Sequence, residues 1–119
     1  MIKRLAFAVP GDLSTPTGGY AFDRRMVAEL EALGWTIDLI NLGKNFPWPG
    51  KETRAAAKAR LLMVPESCPI IMDGLALGVL PEVARRLSTN HVLVALVHHP
   101  LALEAGLTAA QADILRASE

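Results

Sequence analysis

Val9-Pro10-Gly11-Asp12-Leu13-Ser14-Thr15-Pro16-Thr17-Gly18-Gly19 carries an apolar strand into a Pro/Gly-rich loop, and its Gly pair then opens an amphipathic helix. Glycine has no Cβ, so backbone there can come close to a bound group. The unpaired N–H groups of a helix start, with the helix dipole behind them, favour an anion or sugar oxygens. A tight strand-to-helix turn is the plainer alternative, because a Gly pair alone is a weak motif. Two phosphate motifs can be tested against the stretch. A P-loop needs Gly-Lys-Ser/Thr at the helix start, and Gly18-Gly19-Tyr20 supplies neither the ammonium nor the hydroxyl, which argues against an ATP or GTP hydrolase. A dinucleotide fingerprint needs compact glycines and an acidic residue ending the second strand. Gly11 and Gly18 are too far apart and that strand ends at Ile40-Asn41, which disfavours an NAD or FAD domain.

Outward from the loop, the pattern alternates. Leu5 to Val9 is short and continuously apolar, as in a strand buried on both faces. From Tyr20 to Leu33, Met26, Val27, Leu30 and Leu33 recur at helical spacing, and Gly34 stands where a left-handed cap is wanted. Thr36 to Leu42 reads as the second strand. Asn45-Phe46-Pro47-Trp48-Pro49-Gly50 is a loop whose Trp could cap a pocket, stack on a sugar ring or pack over the core. Glu52 to Leu62 reads as an Ala-rich helix, and Pro69 to Met72 as a third buried strand delivering Asp73-Gly74. Leu77, Leu80, Ala84 and Leu87 mark one helical face, with Pro81 at the first position of the main helix. Val92 to Val97 is the most apolar strand and ends in His98-His99-Pro100. Thr108-Ala109-Ala110-Gln111 has the form of a capping box opening a last helix through Ile114 and Leu115.

This alternation predicts an α/β domain, a parallel sheet with helices on both faces and right-handed crossovers. Ligands then bind at the carboxyl edge, where the Gly18-Gly19 loop, Asp73 and the His98-His99 pair all fall. The two histidines are expected to point to opposite sides, since successive strand residues alternate.

Composition limits what this edge can do. At 119 residues, 51% of them hydrophobic, the chain has the size and apolar content of one core-forming domain. Twelve Lys and Arg balance twelve Asp and Glu, which removes the basic footprint of a nucleic-acid binder. Cys68 is the lone cysteine; with no partner for a disulfide or a CxxC site it fits a reducing cytoplasm. No apolar run approaches the roughly 20 residues that a bilayer span needs, so no transmembrane segment is expected. The Cys/His spacings of zinc sites are missing even with Glu104 near the histidines, and no metal is expected. A nucleophile elbow is absent, and Cys68 stands at the strand end opposite His98, so hydrolase chemistry is unsupported. By position, His98 either hydrogen-bonds a neutral or phosphorylated ligand or is satisfied by loop backbone.

The run from Gly18-Gly19-Tyr20-Ala21-Phe22-Asp23 to Leu30, followed by Leu33-Gly34-Trp35-Thr36-Ile37-Asp38-Leu39, resembles the amino-terminal half of family 4 glycosyltransferases. Val94-Ala95-Leu96-Val97-His98 is similar to that family's strand-plus-His signature. The likeness spans essentially the whole chain and is weakest between Asn41 and Pro69. It implies a Rossmann-like acceptor-side domain of a two-domain GT-B enzyme that moves a sugar from a nucleotide-sugar donor to an acceptor with retention, needing no separate cofactor. It also implies a strand order of 2-1-3-4. Carried over by position, Gly18 and Gly19 approach the donor phosphates or the acceptor, and His98, taken as catalytic, contacts the transferred sugar. Tyr20, Asp73 and His99 are the further substrate-binding candidates, with Asp73 and His99 matching less clearly.

One departure is that the family's carboxyl-terminal donor domain is marked by two Glu separated by seven residues, a spacing that no Glu pair here has. The expectation is a truncated fragment or a separately expressed amino-terminal domain, inactive alone, whose Ile114 and Leu115 pack against a missing domain. Two alternatives stand beside it: a free-standing flavodoxin-like module that binds a nucleotide or sugar phosphate without catalysis, and a non-catalytic domain that docks a protein on the same edge.

Overall fold

The protein was analysed as a computed structural model, which describes residues 3–119. Strand β1 (Arg4–Val9) is followed by helix α1 (Gly18–Ala32), β2 (Thr36–Asn41), α2 (Lys51–Leu62), β3 (Ile70–Asp73), α3 (Gly74–Leu77), α4 (Pro81–Asn90), β4 (Leu93–Leu96), a 3-10 turn (Leu101–Leu103) and α5 (Ala109–Ser118). All four strands are parallel in the order β2-β1-β3-β4. The register sets Ala6 beside Ile70 and Asp38, and Asp73 beside Leu96. The architecture is α/β and Rossmann-like, with the strand order that the sequence resemblance implied.

The apolar run in β1 is buried from Leu5 to Val9 because both faces of the sheet are covered there. Leu5, Phe7 and Val9 meet Met26, Val27 and Leu30 of α1 on one face. Ala6 and Ala8 turn to the other, with Ile70 and Met72, where Ala57 and Leu61 of α2, Val83 and Leu87 of α4 and Leu115 of α5 pack. Full burial of one such Leu, Phe or Val stabilises by about 1.5–3 kcal/mol. Small Ala side chains on the second face let three helices share it.

Local signals hold at both ends of α1. Thr17 is its N-cap, its Oγ1 accepting from Tyr20 N–H at 3.2 Å, so the helix begins at Gly18 rather than Tyr20. Gly34 takes φ +94°, and the bonds from its N–H to Glu31 O and from Trp35 N–H to Leu30 O close a Schellman motif. Pro81 starts α4, and both halves of the Thr108–Gln111 capping box are made.

Other expectations are corrected. Leu33 is exposed, since it caps α1 instead of continuing its apolar face. The face assigned to Leu77, Leu80, Ala84 and Leu87 is divided, because Asp73 caps a separate short helix, α3, and α4 buries Val83 with Leu87. The most apolar strand is not buried: β4 has one neighbour and α1 lies over β1 and β2, which leaves Val94 45% and Val97 55% exposed. Leu115 packs within this chain's own core, although Ile114 remains exposed. Trp48 is exposed, and Phe46 is the ring of that loop that packs on the core. No helix among the described residues is long and apolar enough to cross a membrane.

Candidate functional site

The loop after β1 is pinned from α1. Tyr20 Oη donates to Pro10 O at 2.6 Å, and Arg24 Nη1 donates to Leu13 O at 2.6 Å and Thr15 O at 3.2 Å. Asp12 Oδ1 accepts from Ser14 N–H and Oγ, bonds that hold its carboxyl below the ordinary carboxylate range. Burial raises the Tyr20 phenol, and the charges of Asp73, Asp23 and Asp12 push it the same way, so it stays a donor. The Gly18 and Gly19 N–H groups belong to the unpaired first turn of α1 and have no partner among the described residues.

Two more strand ends meet this helix start. Asp73 closes β3 and caps α3, its Oδ1 accepting from Leu75 N–H at 2.8 Å. A Cβ on Gly74 would lie 3.2 Å from Leu96 O and Val97 Cα, so the missing side chain lets the ends of β3 and β4 approach. His98 follows β4, and its Nε2 stands 3.1 Å from Asp73 Oδ2 and 3.0 Å from Asp23 Oδ1. Phe22 packs edge-on to the imidazole, with ring centroids 5.4 Å apart at 76°. A Cβ on Gly19 would meet His98 Cδ2 at 3.6 Å, so the glycine sits directly on the ring. Gly18 has open space where a side chain would go.

Asp23 is the residue that sequence reading missed. It is 0% exposed on α1, and its Oδ2 has no hydrogen-bond partner. Burial first, then the neighbouring carboxyl of Asp73 and its charge, push the Asp23 carboxyl up to about 8. A signal was present: Asp23 precedes Val27 by four and Leu30 by seven, which places a carboxyl on the apolar stripe of α1.

A cavity of about 380 Å³ opens at this edge, lined by Gly19, Tyr20, Asp73, His98, His99 and Glu104 among others. Five of the six candidates from the sequence therefore share one cavity, and Gly18 stands next to it. His98 and His99 both line this cavity, and β4 ends at Leu96, so strand alternation lapses before the pair. Tyr20 offers its ring, since its hydroxyl is engaged by Pro10. A larger concavity of about 590 Å³, lined by Gly11, Gly43, Lys44 and Arg60 among others, flanks the β1–β2 side and includes neither histidine.

Asp23, Asp73 and His98 form the one grouping of metal-binding side-chain types with ligand atoms within 4.8 Å of one another among the described residues. Their contacts have hydrogen-bond lengths, and three donors fall short of the four of a closed zinc site. Cys68 is buried at the opposite end of β3, its thiol raised by burial and directed at Arg4 O, and takes no part. The cavity thus combines free N–H donors, imidazoles and carboxyls without a cluster of cations, which suits a ligand rich in hydroxyls more than a bare polyanion. No family model matches the chain, and no curated protein or solved structure matches it.

Proposed function

We propose that this chain is the amino-terminal, acceptor-side domain of a retaining GT-B glycosyltransferase of family 4, working with a second domain that carries most donor-nucleotide contacts. The observation that carries the reading is the meeting of the α1 start with His98 on one cavity. The unpaired Gly18 and Gly19 N–H groups and the His98 ring lie together at the carboxyl edge of a parallel sheet. In transfer, the bond from the sugar's anomeric carbon to the phosphate oxygen breaks as the acceptor hydroxyl oxygen bonds to that carbon, and the hydroxyl's proton passes to the departing phosphate. Negative charge grows on the departing phosphate, where fixed N–H dipoles stabilise it most. His98, His99 and Asp73 offer hydrogen bonds to sugar or acceptor hydroxyls.

Calorimetric titration of the chain with UDP-glucose, GDP-mannose and free hexoses, paired with a transfer assay after adding a donor domain, tests this. Gly19→Val, which presses methyl groups on the His98 ring, and His98→Ala are expected to weaken sugar-nucleotide binding and transfer at least tenfold while circular dichroism stays unchanged. Rates and affinities within a few-fold of wild type for both variants would overturn the site. Binding that survives with no transfer in any domain pairing would favour the flavodoxin-like binding module.

A further inference from the structure

His98 Nε2 faces carboxyl oxygens from two different elements, at 3.0 Å from Asp23 and 3.1 Å from Asp73. A ring nitrogen so placed must carry its hydrogen, because a lone pair would otherwise oppose the lone pairs of both acids. One N–H cannot neutralise two carboxylates, and two ionised carboxylates in contact inside a protein are strongly disfavoured. The trio therefore needs one more proton, on an acid or on Nδ1, and the donors around the two carboxyls favour an acid and decide which. Asp73 receives two, Leu75 N–H at Oδ1 and the imidazole at Oδ2, as an ionised carboxylate wants. Asp23 receives only the imidazole at Oδ1, and its Oδ2 is buried without a donor.

We propose that Asp23 is a positioning residue that keeps its proton in the folded chain and, with the Asp73 carboxylate, clamps His98 as the Nε2–H tautomer, leaving Nδ1 as the lone-pair acceptor for a ligand hydroxyl. The ligand part rests on the proposed sugar site; the clamp itself does not. The upward shift of Asp23, which burial and Asp73 cause, agrees with this assignment. The groups facing Asp23 are Asp73 from β3, His98 from the β4 end and Tyr20 from α1 itself, whose hydroxyl is tied to Pro10. From β1 only the apolar Leu5, Phe7 and Val9 reach the α1 side. Nδ1 has no partner among the described residues, and the His98 side chain keeps 28% of its surface open. Alkaline loss of the Asp23 proton adds a second negative charge beside the Nε2–H, which perturbs the ring without removing that hydrogen.

Nitrogen and carboxyl-carbon spectra of the 119-residue chain from pH 5 to 10 test the proposal. At pH 7, His98 is expected to show a protonated Nε2 and a lone-pair Nδ1, and the Asp23 carboxyl the signature of the acid; the Asp23 carboxyl is expected to change with a midpoint near 8, and the His98 nitrogen shifts to respond to that added charge while Nε2 keeps its hydrogen. Asp23→Asn, a permanent copy of the protonated acid, is expected to keep the tautomer at pH 7 and lose the alkaline transition. A doubly protonated His98 with an ionised Asp23 at pH 7 in the wild type would overturn the clamp, whether or not the variant folds; so would the alkaline transition persisting in Asp23→Asn. Failure of UDP-glucose, GDP-mannose and free hexoses to bind, with a donor domain added as well as without, while the tautomer and carboxyl results hold would remove the sugar reading and leave the clamp standing.

Discussion

At Gly11 the backbone takes φ +139°, and a Cβ there would lie 2.8 Å from the Tyr20 hydroxyl that fastens the loop. Gly18 is its opposite, with ordinary helical backbone and open space. The two glycines of one loop therefore separate folding from binding. Gly11→Ala is expected to destabilise by about 1–3 kcal/mol in urea denaturation, through strain and displacement of Tyr20. Gly18→Ala is expected to change stability by no more than about 0.5 kcal/mol. A loss of sugar-nucleotide affinity in Gly18→Ala would then report close approach of a ligand rather than a damaged loop. The positions of the glycines were legible in sequence. What was not legible was which of them the chain itself requires, because that depends on Tyr20 folding back over Pro10.

Among the elements, α5 shows how far a local signal reaches. Its capping box could be read from Thr108 and Gln111 because both partners lie within one turn. Its docking could not, because the partners lie far back in the chain: Ser118 Oγ donates to Gly78 O at 2.7 Å, and Leu101 N–H donates to the Glu119 carboxylate. Leu115 consequently belongs to the core. Thr108→Ala is expected to cost about 1 kcal/mol and Leu115→Ala about 2–5 kcal/mol, both measured by chemical denaturation. Silence of both variants would mean that α5 adds nothing to the cooperative unit. Strand β4 carries the converse lesson, since a strong apolar run marks a strand but does not reveal whether a neighbour covers it.

Across the whole molecule, pH couples to stability through the one acid whose proton the fold retains. Asp23 sits near 8 when folded, against an ordinary carboxyl value of 3.8. Its contribution is fully present below about pH 4 and is lost as pH rises toward 8, since the folded state there holds a proton that the unfolded chain has released. The lowered carboxyls of Asp12 and Asp38 act oppositely, contributing above their ordinary range and failing on acidification, but both are exposed and count for little. Wild-type stability is thus expected to fall by a few kcal/mol, to order of magnitude, between pH 6 and 9. Asp23→Asn should flatten most of that slope in urea titrations at the two pH values; an equal slope in the variant would place its origin elsewhere. The sequence by itself determined the alternating α/β order, the helix caps and the loops that reach the carboxyl edge, because periodicity, Gly and Pro act on near neighbours. Tertiary structure alone decided that Asp23 meets Asp73 and His98, that β4 lies uncovered and that Leu115 enters the core. Each of these depends on where a parallel crossover sets residues far apart in the chain, and burial, with the proton it holds in place, exists only once they have met.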